Sequence, residues 1–219
     1  MRPEFNASLS HLELKDNRLH SLLELTNAIN ANLAIDQLYR IFTFIMKEQL
    51  NFSRFALLMA HEEWELAAKS GYKGKITATD MAQELQRFKD ITLVESSNSP
   101  QLKDFQAVIP IFHQDRALAF LLLATPGKTE FLEPQHFSFA QTLTNILSVA
   151  IENRRLTKQN LIKERISKEL ELASEMQKLL FPQELPSNKK MDLSGRYIPR
   201  HAIGGDYYDF IPLGDEEYI

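Results

Sequence analysis

Near the start of the chain, Leu19, Leu22, Leu23, Thr26 and Ile29 recur at helical spacing with polar residues between them. This predicts an amphipathic helix from Leu12 to Leu33. Asp36 stands where an N-cap is expected for a second helix, in which Leu38, Ile41, Phe42 and Ile45 repeat at three- and four-residue steps. The period then changes. Phe55 to Ala60 is a continuous apolar run, and Trp64 to Lys69 follows after the polar His61, Glu62 and Glu63, the pattern of a β-hairpin. The stretch SGYKGKITATD reads as a loop, Met81 to Phe88 as a short helix and Ile91 to Val94 as a strand. Phe105 to Phe112 and Ala117 to Ala124 form a second hairpin pattern across His113, Gln114, Asp115 and Arg116, closed by Thr125, Pro126 and Gly127. From Pro134, a favoured first-turn residue, Phe139, Leu143, Ile146, Leu147, Ala150 and Ile151 restore helical spacing. The order helix, helix, hairpin, short helix, strand, hairpin, helix predicts an α+β fold, a central antiparallel sheet flanked by helices.

After Ile151 the helical pattern continues through ENRRLTKQNLIKERISKELELASEMQKLL with neither proline nor glycine. Within it Ile162, Ile166, Leu170, Ala173, Met176 and Leu180 recur at gaps of four, four, three, three and four, close to the ~3.5-residue repeat of a coiled coil. The expected partner is a second copy of the chain, with packing against its own domain as the alternative. Arg154 and Arg155 read as solvated. Phe181, Pro182, Leu185 and Pro186 end the helix, because proline cannot continue the ladder.

The stretch from Arg18 to Leu156 resembles a GAF domain. The residues that carry the likeness are LLELTNAINANLAIDQLYRIF, the strand pair FQAVIPIF and ALAFLLLA, and the closing AQTLTNILSVAIENRRL. The sequence departs from the family at Ala119, where glycine is common and permits close approach of a ligand. With no cysteine, disulfides, thiolate metal sites and covalent bilin attachment are excluded, and the motif of cyclic-nucleotide GAF domains is absent. His61, His113 and His136 each lack a second histidine at ligand spacing and are assigned surface or capping roles. Trp64 is assigned to the core, with pocket lining as the alternative. A ligand sensor and a dimerising or partner-sensing domain without a small ligand both remain open.

Beyond the helix, the string ELASEMQKLLFPQELP followed by SGRYIPRHAIGGDYYDF resembles the opening of the phosphatase domain in the bacterial sporulation and stress-response PPM family. In SGRYIP the residues look strand-like, and the paired glycines Gly204 and Gly205 permit a close backbone turn before Asp206. The resemblance makes Asp206 a ligand of a two-ion Mn²⁺ or Mg²⁺ centre, with Gly204, Gly205 and Asp209 in supporting places. It implies hydrolysis of phosphoserine or phosphothreonine by metal-activated water on an anti-anti-sigma-type regulator. The family's following Asp-x-x-Gly-His-Gly motif and later aspartates are absent from this sequence, so these residues alone are expected to be inactive. A GAF-linked diguanylate cyclase fits less well, since Tyr207 and Tyr208 follow Gly-Gly-Asp where the cyclase needs Glu-Phe. A non-enzymatic dimerising GAF scaffold is the other alternative. No histidine lies on the linker helix, which disfavours a histidine kinase.

Four segments are therefore expected: a helical extension over 1–17, a GAF-like domain over 18–156, a helical linker over 157–181 and the first part of a phosphatase domain over 182–219. The 219 residues, 44% apolar and 25% charged, suit one globular domain with an extension. A net charge of −4 with both signs scattered gives no footprint for nucleic acid. The longest apolar run falls well short of the roughly 18 residues of a membrane span, and the start MRPEFNASLS has no signal-peptide core, so a cytoplasmic location without membrane contact is expected.

Overall fold

The computed structural model describes residues 2–52, 54–72, 76–94, 102–124, 134–187, 189–214 and 217–219, with side chains from residue 16 onward and, in the last helix, from 136. The turn expected at Thr125, Pro126 and Gly127 and the middle of the SGYKGKITATD loop lie outside the described residues. The chain forms two compact units, residues 1–154 and 155–219.

In the first unit, α1 (Arg2–Asn30) and α2 (Ile35–Phe44) precede the hairpin β1 (Arg54–Ala60) and β2 (Trp64–Ser70). Then come α3 (Ala78–Leu85), β3 (Thr92–Leu93), the hairpin β4 (Ala107–His113) and β5 (Arg116–Ala124), and α4 (Pro134–Leu180), which continues beyond this unit. The strands make one sheet in the order β2-β1-β5-β4-β3, and every pair is antiparallel. The predicted α+β class and element order are present.

Apart from two bulges, residues alternate across the sheet because successive strand side chains point to opposite faces. Phe55, Leu57, Met59, Ala107, Ile109, Ile111, Leu121 and Leu123 pack with the helices α1, α2 and α4 through Leu25, Phe42, Leu143 and Leu147. Ala56, Leu58, Val108, Phe120 and Leu122 face the other way, onto Met81, Ala82 and Leu85 of α3. Two bulges interrupt the ladder. Between Leu57 and Leu58, Ala67 is the extra residue on β2, and between Ile111 and Phe112 it is Leu118 on β5. This is how Leu118 and its neighbour Ala119 come to share one core.

The helix starts differ in detail from the sequence expectations. Ala34, not Asp36, is the N-cap of α2: its N–H donates to Gln37 Oε1 at 3.0 Å. Asp36 lies in the first turn, where its charge suits the positive end of the helix dipole. After Phe44 the helix widens into a π-helical turn, Ile45–Gln49, that keeps Ile45 and Met46 buried. The short helix begins at Ala78 rather than Met81, with Thr77 as its N-cap.

Arg154 is not simply solvated. Its guanidinium donates to the Ile29 carbonyl at 2.8 Å and to the Leu33 carbonyl, at the end of α1, where Asn32 takes φ 56° to stop the helix. Helix ends favour positive charge, and Arg154 adds a second donor to the Ile29 carbonyl, which also accepts from the Asn32 N–H at 3.0 Å, while supplying one to the Leu33 carbonyl beyond the turn. Arg154→Ala should lower stability by about 1.5–3 kcal/mol, the range for hydrogen bonds that involve a charged group. A urea midpoint unchanged from that of the parent chain would remove this contact from the list of stabilising interactions.

Candidate functional site

In the first unit aromatic rings lie in the layer between the sheet and α3. Trp64 stacks on Phe120 with centroids 5.1 Å apart, and Tyr72 lies 5.2 Å from Phe105. Trp64 is therefore a core-facing residue, as expected, and it also lines a cleft. That cleft, of about 380 Å³, opens at the hairpin tips between His61, Glu62, Glu63, Trp64, Lys89 and Arg116. Lys89 Nζ sits 4.7 Å above the Phe112 ring, and Arg116 pairs with Glu152 at 3.3 Å, so two of its cations are already engaged. Ala119 faces the opposite layer, buried among the α1, α2 and α4 side chains, and the sequence-based concern about ligand approach at that strand position concerns the helix-covered face.

A shallower groove runs beside the sheet edge, lined by Asp36, Tyr39, Arg40, Ala67 and Lys69. The Tyr39 hydroxyl is enclosed there without a hydrogen-bond partner among the described residues, and burial, assisted by Glu65 and Asp36, makes it a weaker acid than an ordinary tyrosine. The three histidines do not converge. His61 Nε2 lies 2.8 Å from Glu65 Oε1, His113 ends β4, and His136 begins α4 with its Nδ1 enclosed and unpartnered among the described residues.

The second unit carries the Gly-Gly-Asp segment. Helix α4 ends at Leu180, and Phe181 turns inward beneath three tyrosines: Tyr197 at 4.5 Å, Tyr208 at 5.1 Å and Tyr207 at 6.0 Å between ring centroids. Proline at 182 makes this turn obligatory, and the ring cluster gives Phe181 a place to be buried at the end of an otherwise exposed helix. Residues 194–199 were expected to be strand-like. They run without a ladder, and the segment contains only isolated bridges at Ser187–Asp192 and Pro212–Tyr218, because no partner strand is present among the described residues.

The two glycines are not equivalent. A Cβ on Gly204 would fall on the Tyr197 hydroxyl and within 2.6 Å of its Cζ, whereas a Cβ on Gly205 would meet nothing within 4 Å. The close approach anticipated for both is thus required at Gly204 alone. Gln177, one turn before the helix end, grips the backbone on both sides of the same residue. Its Nε2 donates to the Gly204 carbonyl at 2.6 Å and its Oε1 accepts from the Gly204 N–H at 3.1 Å.

Asp206 follows this anchored glycine pair with an exposed carboxylate that makes no hydrogen bond among the described residues. Asp209 is occupied: Oδ2 accepts from the Tyr207 hydroxyl at 3.1 Å and Oδ1 from the Phe210 N–H at 2.8 Å. The bond to Asp209 is the main reason the Tyr207 hydroxyl is held above the usual tyrosine pKa. A free carboxylate is the oxygen-donor type that hard divalent ions take. Among the described residues no three histidine, aspartate or glutamate side chains converge. No signal in the sequence marks Gln177 and Tyr197, or the packing of Phe181 on Tyr197, which hold the backbone just before Asp206.

With this geometry in place, comparison with solved structures shows that the chain contains a GAF fold. The chain is similar to a GAF domain from Pseudomonas syringae pv. tomato at TM-score 0.52 and 14% identity, covering 73% of this chain and 99% of that one. A GAF domain from a phosphoenolpyruvate-protein phosphotransferase of Coxiella burnetii matches at TM-score 0.52 and 20% identity, over 65% of this chain and 97% of the other. The phycoerythrobilin-bound GAF domain of a cyanobacterial phytochrome matches at TM-score 0.50 and 16% identity, over 66% and 99%. No family model and no curated protein matches the chain. No helix among the described residues is long and apolar enough to cross a membrane.

Gly204→Ala should drive the Tyr197 hydroxyl from its place and loosen the rings around Phe181, at a cost of about 1–3 kcal/mol typical of overpacking. Gly205→Ala should leave the cluster as it is. Tyrosine ring shifts read by NMR distinguish the two, and equal responses would contradict the packing described for Gly204.

Proposed function

We propose that this chain is the sensory and regulatory portion of a metal-dependent protein serine/threonine phosphatase of the PPM type, with a phosphorylated anti-anti-sigma-type regulator as substrate. The observation that carries this reading is the sequence LLFPQELP followed by SGRYIPRHAIGGDYYDF, in which Asp206 presents a free carboxylate on a loop fixed to the end of a long helix. The chemistry implied for such a protein, attack by water activated between two Mn²⁺ or Mg²⁺ ions, belongs to a completed centre to which this chain contributes one carboxylate. What its own residues do is hold Asp206 in place and keep Asp209 hydrogen-bonded beside it.

The GAF fold is the input side of this proposal. The apolar packing among the described residues between the sheet and α3 favours input through contact with a partner or a second copy. Helix α4 supports an output role, since Ile162, Ile166, Leu170, Met176 and Leu180 are between 42% and 69% exposed in a single copy. An apolar row of that length on a charged helix is costly in water and is relieved by an identical row in parallel register. The same exposed row favours a second reading, a dimerising GAF scaffold without catalytic function.

The two readings separate in a longer protein that carries this segment and a whole phosphatase domain. Asp206→Asn should reduce Mn²⁺-dependent hydrolysis of a phosphoserine protein by about 100-fold or more with an unchanged melting temperature, since the substitution removes a charged metal ligand. Full activity of the variant at saturating Mn²⁺ would take Asp206 out of the centre. A parent protein with no metal-dependent hydrolysis would leave the scaffold reading standing.

A further inference from the structure

We infer that Gln177 is a positioning residue: its side-chain amide locks the Gly204 peptide to the last turns of α4 and so sets where Asp206 stands. For its consequence at Asp206 this rests on the phosphatase reading, while the lock itself does not. A primary amide has one donor and one acceptor side, and here both are used on the two polar groups of a single residue, Nε2 on the carbonyl and Oε1 on the N–H. The two bonds reach the peptide groups on either side of the Gly204 Cα, so together they fix the direction of the backbone there as well as its distance, which a single bond would leave free to swivel.

The opposite side of the same peptide is closed by Tyr197. Its hydroxyl occupies the volume where any side chain at 204 would project, and its ring is held by Phe181, the residue that immediately follows α4. Gly204 is therefore clamped between a residue of the helix and a ring stacked on the helix terminus. Gly205 has open space around it, so the chain is free to vary only after the clamp. Asp206 is two residues beyond the anchored peptide, a separation that leaves little slack between helix and carboxylate. A rotation of the helix end would carry the Gly204 peptide with it, and the carboxylate would follow.

Gln177 is otherwise hard to explain. It is half-buried at the end of a helix whose neighbouring positions are charged or exposed, and burying an amide costs free energy unless both its groups are paired. Lysine or glutamate at this position would satisfy only one of the two peptide groups.

The test begins with the chain itself. Gln177→Leu keeps helix propensity and size but removes both bonds. Amide exchange at Gly204 followed by NMR should accelerate by about tenfold, the factor that corresponds to ~1.4 kcal/mol of lost protection. Exchange at the α4 amides from Glu169 to Met176 should stay as it was, which separates loss of the lock from fraying of the helix. Unchanged exchange at Gly204 would overturn the lock. In a longer protein with the whole phosphatase domain, the same variant should need about tenfold more Mn²⁺ for half-maximal activity, with kcat recovered at saturating Mn²⁺, because a displaced ligand weakens metal binding rather than the chemical step. A faster Gly204 exchange with no change in Mn²⁺ requirement would show a purely structural contact and overturn the positioning role. If the parent protein hydrolyses nothing, the phosphatase reading fails and the positioning role fails with it, while the exchange result still decides the lock.

Discussion

The unbroken backbone ladder of α4, from Pro134 to Leu180, is the constraint on which the other features depend. Its first part supplies Phe137, Ala140, Leu143, Leu147 and Ile151 to the larger core, and Arg154 on the next turn closes the end of α1. Its last part carries Gln177 and delivers Phe181 to the aromatic cluster. No glycine or proline interrupts the helix between these two sets of contacts.

The fold was legible in the sequence because its periods are clean. The change from helical spacing to short apolar runs at Phe55 and again at Phe105 marks the two hairpins, and Pro134 marks the return to helix. The boundaries that moved did so for local reasons. Gln37 reaches back to the Ala34 N–H, which transfers the cap away from Asp36, and the bulges at Ala67 and Leu118 have no signature in an apolar run. Periodicity reports which face a side chain occupies, not whether the ladder has gained a residue.

The candidate site was legible only at its chemical end. Asp206 stands out because Gly-Gly-Asp before aromatic residues is an unusual string, whereas the residues that hold it look ordinary. Gln177 is one of several polar residues on a charged helix, and Arg154 is one of two adjacent arginines. Their roles come from carbonyls and N–H groups distant in sequence, at Ile29, Leu33 and Gly204, and backbone groups leave no mark in the residue pattern. The lack of a strand over 194–199 has a related cause, since strand-like residues form a ladder only when another strand offers the complementary groups.

The exposed row from Ile162 to Leu180 is the feature that a single copy leaves unexplained, and pairing of two α4 helices is the central claim about how this chain works. Light scattering at tens of micromolar measures it directly. The expected result is a particle of twice the mass of one chain, reduced to the mass of one chain when Ile166→Glu and Met176→Glu place charge on the row. An unaltered chain that scatters as a single copy would contradict it.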